Sequence, residues 1–222
     1  MPYRCDTIDP KTTAVIVVDM QNDFVAPGAP LLSQMAQDLV PRLGKTLDEC
    51  RELGMKIVFT AHVHRLDGSD MGLFDDLYPP IASRAALVDG TEGGDIYPPL
   101  KPQPGEHVIK KSRYSAFYGT PMDMMLREWG IKTVIITGTT TENCCHATAR
   151  DAMFNNYKVV FLSDGTGTFD YPDMGYGSMS AQDVHLATLR ILAFSTAHVM
   201  TCKEFLECAT GKHQELEKAQ AA

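Results

Sequence analysis

Two cysteines stand side by side in "TGTTTENCCHATARDAM", which runs from Thr137 to Met153. A glycine and three threonines precede them, and a stretch with helical spacing follows. A thiol in the first turn of a helix can act as a nucleophile. The N–H groups there lack intrahelical partners, and the helix dipole favours negative charge. Both effects lower a thiol's pKa and populate the thiolate. A helix that begins at a Thr141 N-cap puts Cys145 on one stripe with Ala149, Ala152 and Met153. Cys145 then packs against the sheet. Cys144 lies one step around, at the edge of the stripe, where a side chain meets a cleft. The alternative is that both cysteines are buried packing residues. The strand–Gly–Thr turn also aims N–H groups at a substrate oxygen, and those of Thr140 and Cys144 are the candidates for an oxyanion hole.

A nucleophilic thiol needs a proton acceptor and an orienting partner. His146 does not serve, because two helical steps turn it roughly 200° away from Cys144. Asp19, in "VVDMQNDF", is the candidate acceptor, and Lys111, in "VIKKSRYSAF", is the candidate cation beside it. The alternatives are a loop cap for Asp19 and a solvated lysine for Lys111, with Lys110 the more ordinary surface residue of the pair.

These three residues are far apart along the chain, so the fold must bring them together. Short apolar runs rich in β-branched residues occur at Thr13–Val18, Lys56–Thr60, His107–Ile109, Thr133–Thr137, Lys158–Leu162 and Ala197–Thr201. Helical patterns lie between or after them, at Gln34–Leu53, Pro121–Glu128, Glu142–Asn155, Ala181–Phe194 and Lys203–Ala209. This alternation predicts an α/β fold: a parallel sheet, doubly wound in three layers, with helices on both faces. Ligands in such sheets bind beyond the carboxyl ends of the strands. Asp19, Lys111 and the Cys144 turn all follow strand ends. The segment from His62 to Glu106 breaks the alternation with many Gly, Pro and Asp residues. It reads as a lid, an oligomer contact or a surface wrap.

The 222 residues are read as one domain, residues 1–222. Charged residues make up 22%, and the net charge is −8 without a Lys/Arg cluster, which argues against nucleic acid or an anionic membrane as partner. The start shows no apolar signal region, and no apolar run is long enough to span a bilayer. The six cysteines show no C-x-x-C spacing and read as reduced thiols of a cytoplasmic protein.

Three segments together resemble the isochorismatase-like cysteine hydrolases: "AVIVVDMQNDF" with Asp19, "KSRYSAFYGTPMDMMLREWGI" with Lys111, and "GTTTENCCHATARDA" with Cys144. The resemblance covers nearly the whole chain. It implies a six-stranded, mostly parallel sheet, an Asp–Lys–Cys triad, a cis peptide between Thr139 and Thr140, and assembly as a homodimer or homotetramer. The branch that cleaves a vinyl ether lacks the cysteine, so Cys144 points to the amide-cleaving branches. No organic cofactor is implied. Nicotinamidases in this family hold a metal with an Asp-x-His motif. Here "TAHVHRLDGSD" has His62 in place of the aspartate, so a metal would have to use His62 and His64, which share a strand face, with Asp67 or Asp70. The preferred expectation is no metal, with both histidines hydrogen-bonded to loop backbone.

The reaction expected is hydrolysis of a small carbamoyl or ureido amide, such as biuret, triuret or an N-carbamoyl compound. Cys144 attacks, Asp19 shuttles the proton in both half-reactions, and a thioester intervenes. Phe24, Arg113, Phe117 and Gln182 are the expected substrate-binding residues. Asp170 and Tyr171, in the glycine-rich segment from Ser163 to Asp183, are further candidates. The rival readings are a nicotinamidase-like metal-assisted amidase and a non-catalytic ligand binder.

Overall fold

The structure is a computed structural model and describes residues 4–211. Six strands form one sheet: β1 (Thr13–Val18), β2 (Lys56–His62), β3 (His107–Lys111), β4 (Thr133–Thr139), β5 (Lys158–Gly167) and β6 (His198–Met200). Their order is β3-β2-β1-β4-β5-β6, and every pair is parallel. The sheet is therefore wholly parallel where the resemblance implied mostly parallel. The chain winds outward from β1 through β2 to β3, then crosses back to β4 on the other side of β1. The topological switch thus falls between β1 and β4, and a crevice is expected beyond their carboxyl ends.

All six residues of β1 are buried, as expected for a central parallel strand covered on both faces. Alternate side chains enter two apolar layers. Val15, Val17, Ile57, Phe59 and Val160 pack with Leu39, Leu43 and Leu47 of α2 (Gln34–Glu52) and with Phe205 of α8 (Cys202–Thr210). Ala14, Ile16, Val58, Val134 and Phe161 pack on the other side. Their partners are Leu126 of α5 (Met122–Glu128), Ala149 and Ala152 of α6 (His146–Phe154), and Leu192 of α7 (Ala181–Ser195). These are the two helical layers predicted from the apolar pattern.

Several strands run past the apolar runs that announce them. β2 continues to His62 and β3 to Lys111, where the two residues pair in register. β4 continues through Gly138, which pairs with Val18. Gly138 has φ +114, and a Cβ there would run into the carbonyl oxygen of Val18, so only glycine fits this close approach.

The segment between β2 and β3 folds back over the rim. It carries the short helices α3 (Phe74–Leu77) and α4 (Pro79–Ala82), and it pairs His64 with Val88. The residues just after β1 fasten it, with α1 (Asn22–Val25) among them. Gln21 Nε2 donates to Gly94 O at 3.0 Å, Asn22 N to Asp95 O at 3.0 Å, and Leu87 N to Asp23 Oδ2 at 2.7 Å. These bonds hold the segment as a lid over the rim of its own chain.

Candidate active site

Asp19 follows the last residue of β1 and has φ +49, a left-handed conformation that Asp tolerates better than most residues. Thr60 Oγ1 donates to its Oδ1 at 2.6 Å, and Lys111 Nζ lies 2.7 Å from its Oδ2. Both the Asp19 and the Lys111 side chains are 0% exposed. Strand alternation explains why Lys111 faces inward and Lys110 does not. Lys110 points out and pairs with Asp89 at 2.6 Å. Lys111 Nζ also reaches Arg113 O at 3.0 Å and Cys144 Sγ at 3.4 Å.

Cys144 belongs to a π-helical turn, Thr141–Cys145, that leads into α6. Cys145 N bonds Thr140 O at 3.1 Å, and Thr140 is the N-cap residue in place of the predicted Thr141. The Thr139–Thr140 peptide is cis, as the resemblance implied. Cys145 is fully buried beside Ala149 and Ala152, on the stripe that the helical spacing predicted. His146 turns away from Cys144 and accepts from Arg150 at 3.2 Å.

The protonation expected for Cys144 is reversed. Burial pushes its thiol well up, Lys111 pulls it down and Asp19 raises it again. Desolvation wins because Lys111 is already paired with Asp19, so the net field of the ion pair at sulfur is weak. Cys144 therefore rests as a thiol. Burial alone would lower Lys111, yet the Asp19 carboxylate beside it holds it above the ordinary lysine value.

A cavity of about 30 Å³ opens over Cys144. Its floor includes Thr140, Asn143, Cys144 and His62, and its walls are mainly apolar and aromatic, among them Phe24, Phe74, Leu87 and Phe169. Phe24 and both expected oxyanion residues, Thr140 and Cys144, line the cavity. Arg113, Phe117 and Gln182 do not. The Arg113 guanidinium donates to Asp70 O at 2.9 Å and Ser112 O at 2.6 Å and lies over Phe74, so it fastens the lid. Phe117 packs against Tyr157 in the second apolar layer. Gln182 is exposed at the start of α7. Asp170 accepts from Ala181 N at 2.7 Å, whereas Tyr171 stands behind the cavity floor. Its hydroxyl donates to Glu142 at 2.8 Å and accepts from Asn143 at 3.1 Å.

The two rim histidines also depart from expectation. Their rings bond each other, Nε2 to Nε2 at 3.2 Å, and not loop backbone. His62 Nδ1 lies 3.9 Å from Cys144 Sγ. His64 Nδ1 faces Asp70 Oδ1 at 3.6 Å. Burial, then Lys111, holds His62 well below the ordinary histidine range. These residues do not fit the metal of a nicotinamidase, since Asp70 stands on the far side of His64 from the paired Nε2 atoms. Among the described residues, the one group of three such donors within 4.8 Å of one another is Asp19, His62 and Cys144. The Lys111 ammonium already sits against two of those three.

The isochorismatase domain model matches residues 13–204. The chain belongs to the isochorismatase family. Nicotinamidase 3 of Arabidopsis thaliana is 31% identical, covering 94% of this chain and 96% of its own. Ureidoacrylate amidohydrolase RutB of Methylorubrum extorquens is 30% identical, covering 81% and 80%. A solved cysteine hydrolase from Pseudomonas syringae pv. phaseolicola superposes with a TM-score of 0.90 at 35% identity, over 95% of this chain and 98% of that one. Among the described residues of this family member, no helix is long and apolar enough to cross a membrane.

Proposed function

We propose that the chain hydrolyses the C–N bond of a small linear amide through a thioester on Cys144. One observation carries this reading: a buried lysine touches a carboxylate at 2.7 Å and a thiol at 3.4 Å, beneath a cavity on the sheet's carboxyl edge. Asp19 Oδ2 faces the Lys111 ammonium at 2.7 Å and keeps a second lone pair to accept the thiol proton. Transfer accompanies attack, because the resting sulfur is protonated. Lys111 stays charged and keeps the relay neutral overall. The sulfur adds to the carbonyl carbon, and the N–H groups of Thr140 and Cys144 hold the oxyanion. Asp19 then protonates the departing nitrogen, and water cleaves the thioester.

The small cavity supports a narrower substrate class. Neither lysine nor arginine lines it, and Arg113 is turned away, so uncharged amides are favoured over ureido acids. Within the carbamoyl class this favours biuret. The aromatic wall supports a second reading, an amide with a flat apolar body such as nicotinamide, processed without a metal. Ammonia release from biuret, nicotinamide and ureidoacrylate tests both readings. The uncharged amides should turn over, the acid should not, and Cys144→Ser should be inactive. Ammonia from none of the three, with Cys144 unmodified after incubation, would remove the hydrolase reading.

A further inference from the structure

The cavity wall separates the groups that touch the sulfur. His62 lines the cavity, whereas Asp19 and Lys111 lie beneath its floor. Once an acyl group occupies Cys144 and the amine has left, water arrives from the cavity side. It reaches His62 without having to pass the acyl group. Building on the reading of Cys144 as the acylated residue, we propose that His62, in place of the Asp19 expected from the sequence, is the base that activates water for thioester hydrolysis, held in its working tautomer by His64 and Asp70.

Two contacts together favour one tautomer of the pair. With both Nε2 atoms 3.2 Å apart, one ring must donate and the other accept. The Asp70 carboxylate, 3.6 Å from His64 Nδ1, favours a proton on that nitrogen. His64 Nε2 is then bare and accepts from His62 Nε2–H. That leaves a lone pair on His62 Nδ1, the atom 3.9 Å from Cys144 Sγ. Phe74 meets both imidazoles, with ring centroids at 5.1 Å and 5.3 Å, and limits their rotation.

The pair also solves a charge problem. An imidazolium at His62 would face Lys111, His64 and Arg113, and the Asp19 carboxylate, within 4.8 Å, is already neutralised by Lys111. An imidazolium at His64 faces Arg113 and Arg84 as well, but it gains Asp70. In the proposed step, water gives a proton to His62 Nδ1 while the Nε2 proton of His62 moves to His64 Nε2. The positive charge therefore appears beside Asp70. The hydroxide oxygen bonds the thioester carbon, and the C–S bond breaks. The shared proton then returns from His64 to His62, and Nδ1–H delivers a proton to Sγ. One water is consumed, a carboxylic acid leaves, and both imidazoles and the thiol return to their starting states.

p-Nitrophenyl acetate separates the half-reactions. Wild-type protein should release about one nitrophenolate per chain in a burst, with the acetyl group located on Cys144 by mass spectrometry. His62→Gln should still be acetylated but lose the acetyl group ~100-fold more slowly, so the acetyl-enzyme accumulates. Asp70→Asn keeps an oxygen for Arg65 N, which Asp70 Oδ1 accepts at 3.0 Å, and tests the outer residue separately. Its deacetylation should slow at least ~10-fold. The acid limb of its pH profile should also move to lower pH, because the imidazole pair binds a proton less readily without the carboxylate. Deacetylation of His62→Gln at the wild-type rate, or an unmoved acid limb in Asp70→Asn, would overturn the assignment. Failure of wild-type Cys144 to acetylate would instead remove the thioester reading on which it rests.

Discussion

Lys111 Nζ sits 2.7 Å from Asp19 Oδ2 with both side chains sealed from solvent. Each charge is tolerated there because the other is present. Asp19→Asn and Lys111→Met should each destabilise the fold by ~3–5 kcal/mol, since each strands one buried charge. The double variant should regain much of that stability and none of the activity. Urea titration of the four proteins checks the cycle, and a double variant no more stable than the worse single would contradict it.

The neighbouring thiols should separate cleanly by mutation. Cys144→Ser should lower amide turnover by more than about a thousand-fold with little change in unfolding midpoint. Cys145→Ser should keep turnover and lose stability by ~1–3 kcal/mol, because it buries a hydroxyl in an apolar layer. Iodoacetamide should label resting Cys144 more slowly than free cysteine at neutral pH, since burial keeps it protonated. Peptide mapping after timed labelling reads this directly.

All six cysteines are buried free thiols, and burial pushes Cys50 and Cys202 up to about 12. Above about pH 8.5 the unfolded chain releases thiol protons that the folded chain retains. The folded state then binds more protons, so stability falls as pH rises. The contribution is complete below about pH 8.5 and is lost toward pH 12, at up to ~1.4 kcal/mol per pH unit for each such thiol. Urea midpoints under reducing conditions at pH 8, 9 and 10 should fall stepwise. A constant midpoint would show that the thiols gain no proton affinity on folding.

The lid should depend on Asp23, whose carboxylate accepts Leu87 N at 2.7 Å just behind the cavity wall. Asp23→Ala leaves that N–H unpartnered and should cost ~1–3 kcal/mol. It should also raise KM more than it lowers kcat, because the wall loosens while the Cys144 contacts stay. Steady-state kinetics on an accepted amide separates these effects. Equal losses in both terms would place Asp23 in the chemistry instead.

The apolar runs from Thr13 to Val18 and from Thr133 to Thr137 were enough to announce a covered parallel sheet, because burial on both faces demands continuous β-branched sequence. The motifs around Asp19, Lys111 and Cys144 marked their strand ends for the same local reason: each strand's polarity changes where it leaves the core. Periodicity likewise put Cys145, and not Cys144, on the packed stripe. Side-chain destinations set by distant segments were illegible. Arg113 looks like a substrate clamp until Asp70 and Phe74 fold over it, and Gln182 looks like a cleft residue until α7 carries it outward. Local rules gave Cys144 a lowered pKa, since they count helix dipoles and nearby lysines. They cannot count the solvent that folding removes, and that desolvation reverses the sign. His62 belongs to the same class. Its histidine-x-histidine spacing is visible in the chain, but its approach to a sulfur 82 positions away depends on how β1, β2 and β4 align. The sheet and the chemically able residues are written in local sequence; which of them share a dry cavity follows from packing, because proximity and dielectric are properties of the assembled layers.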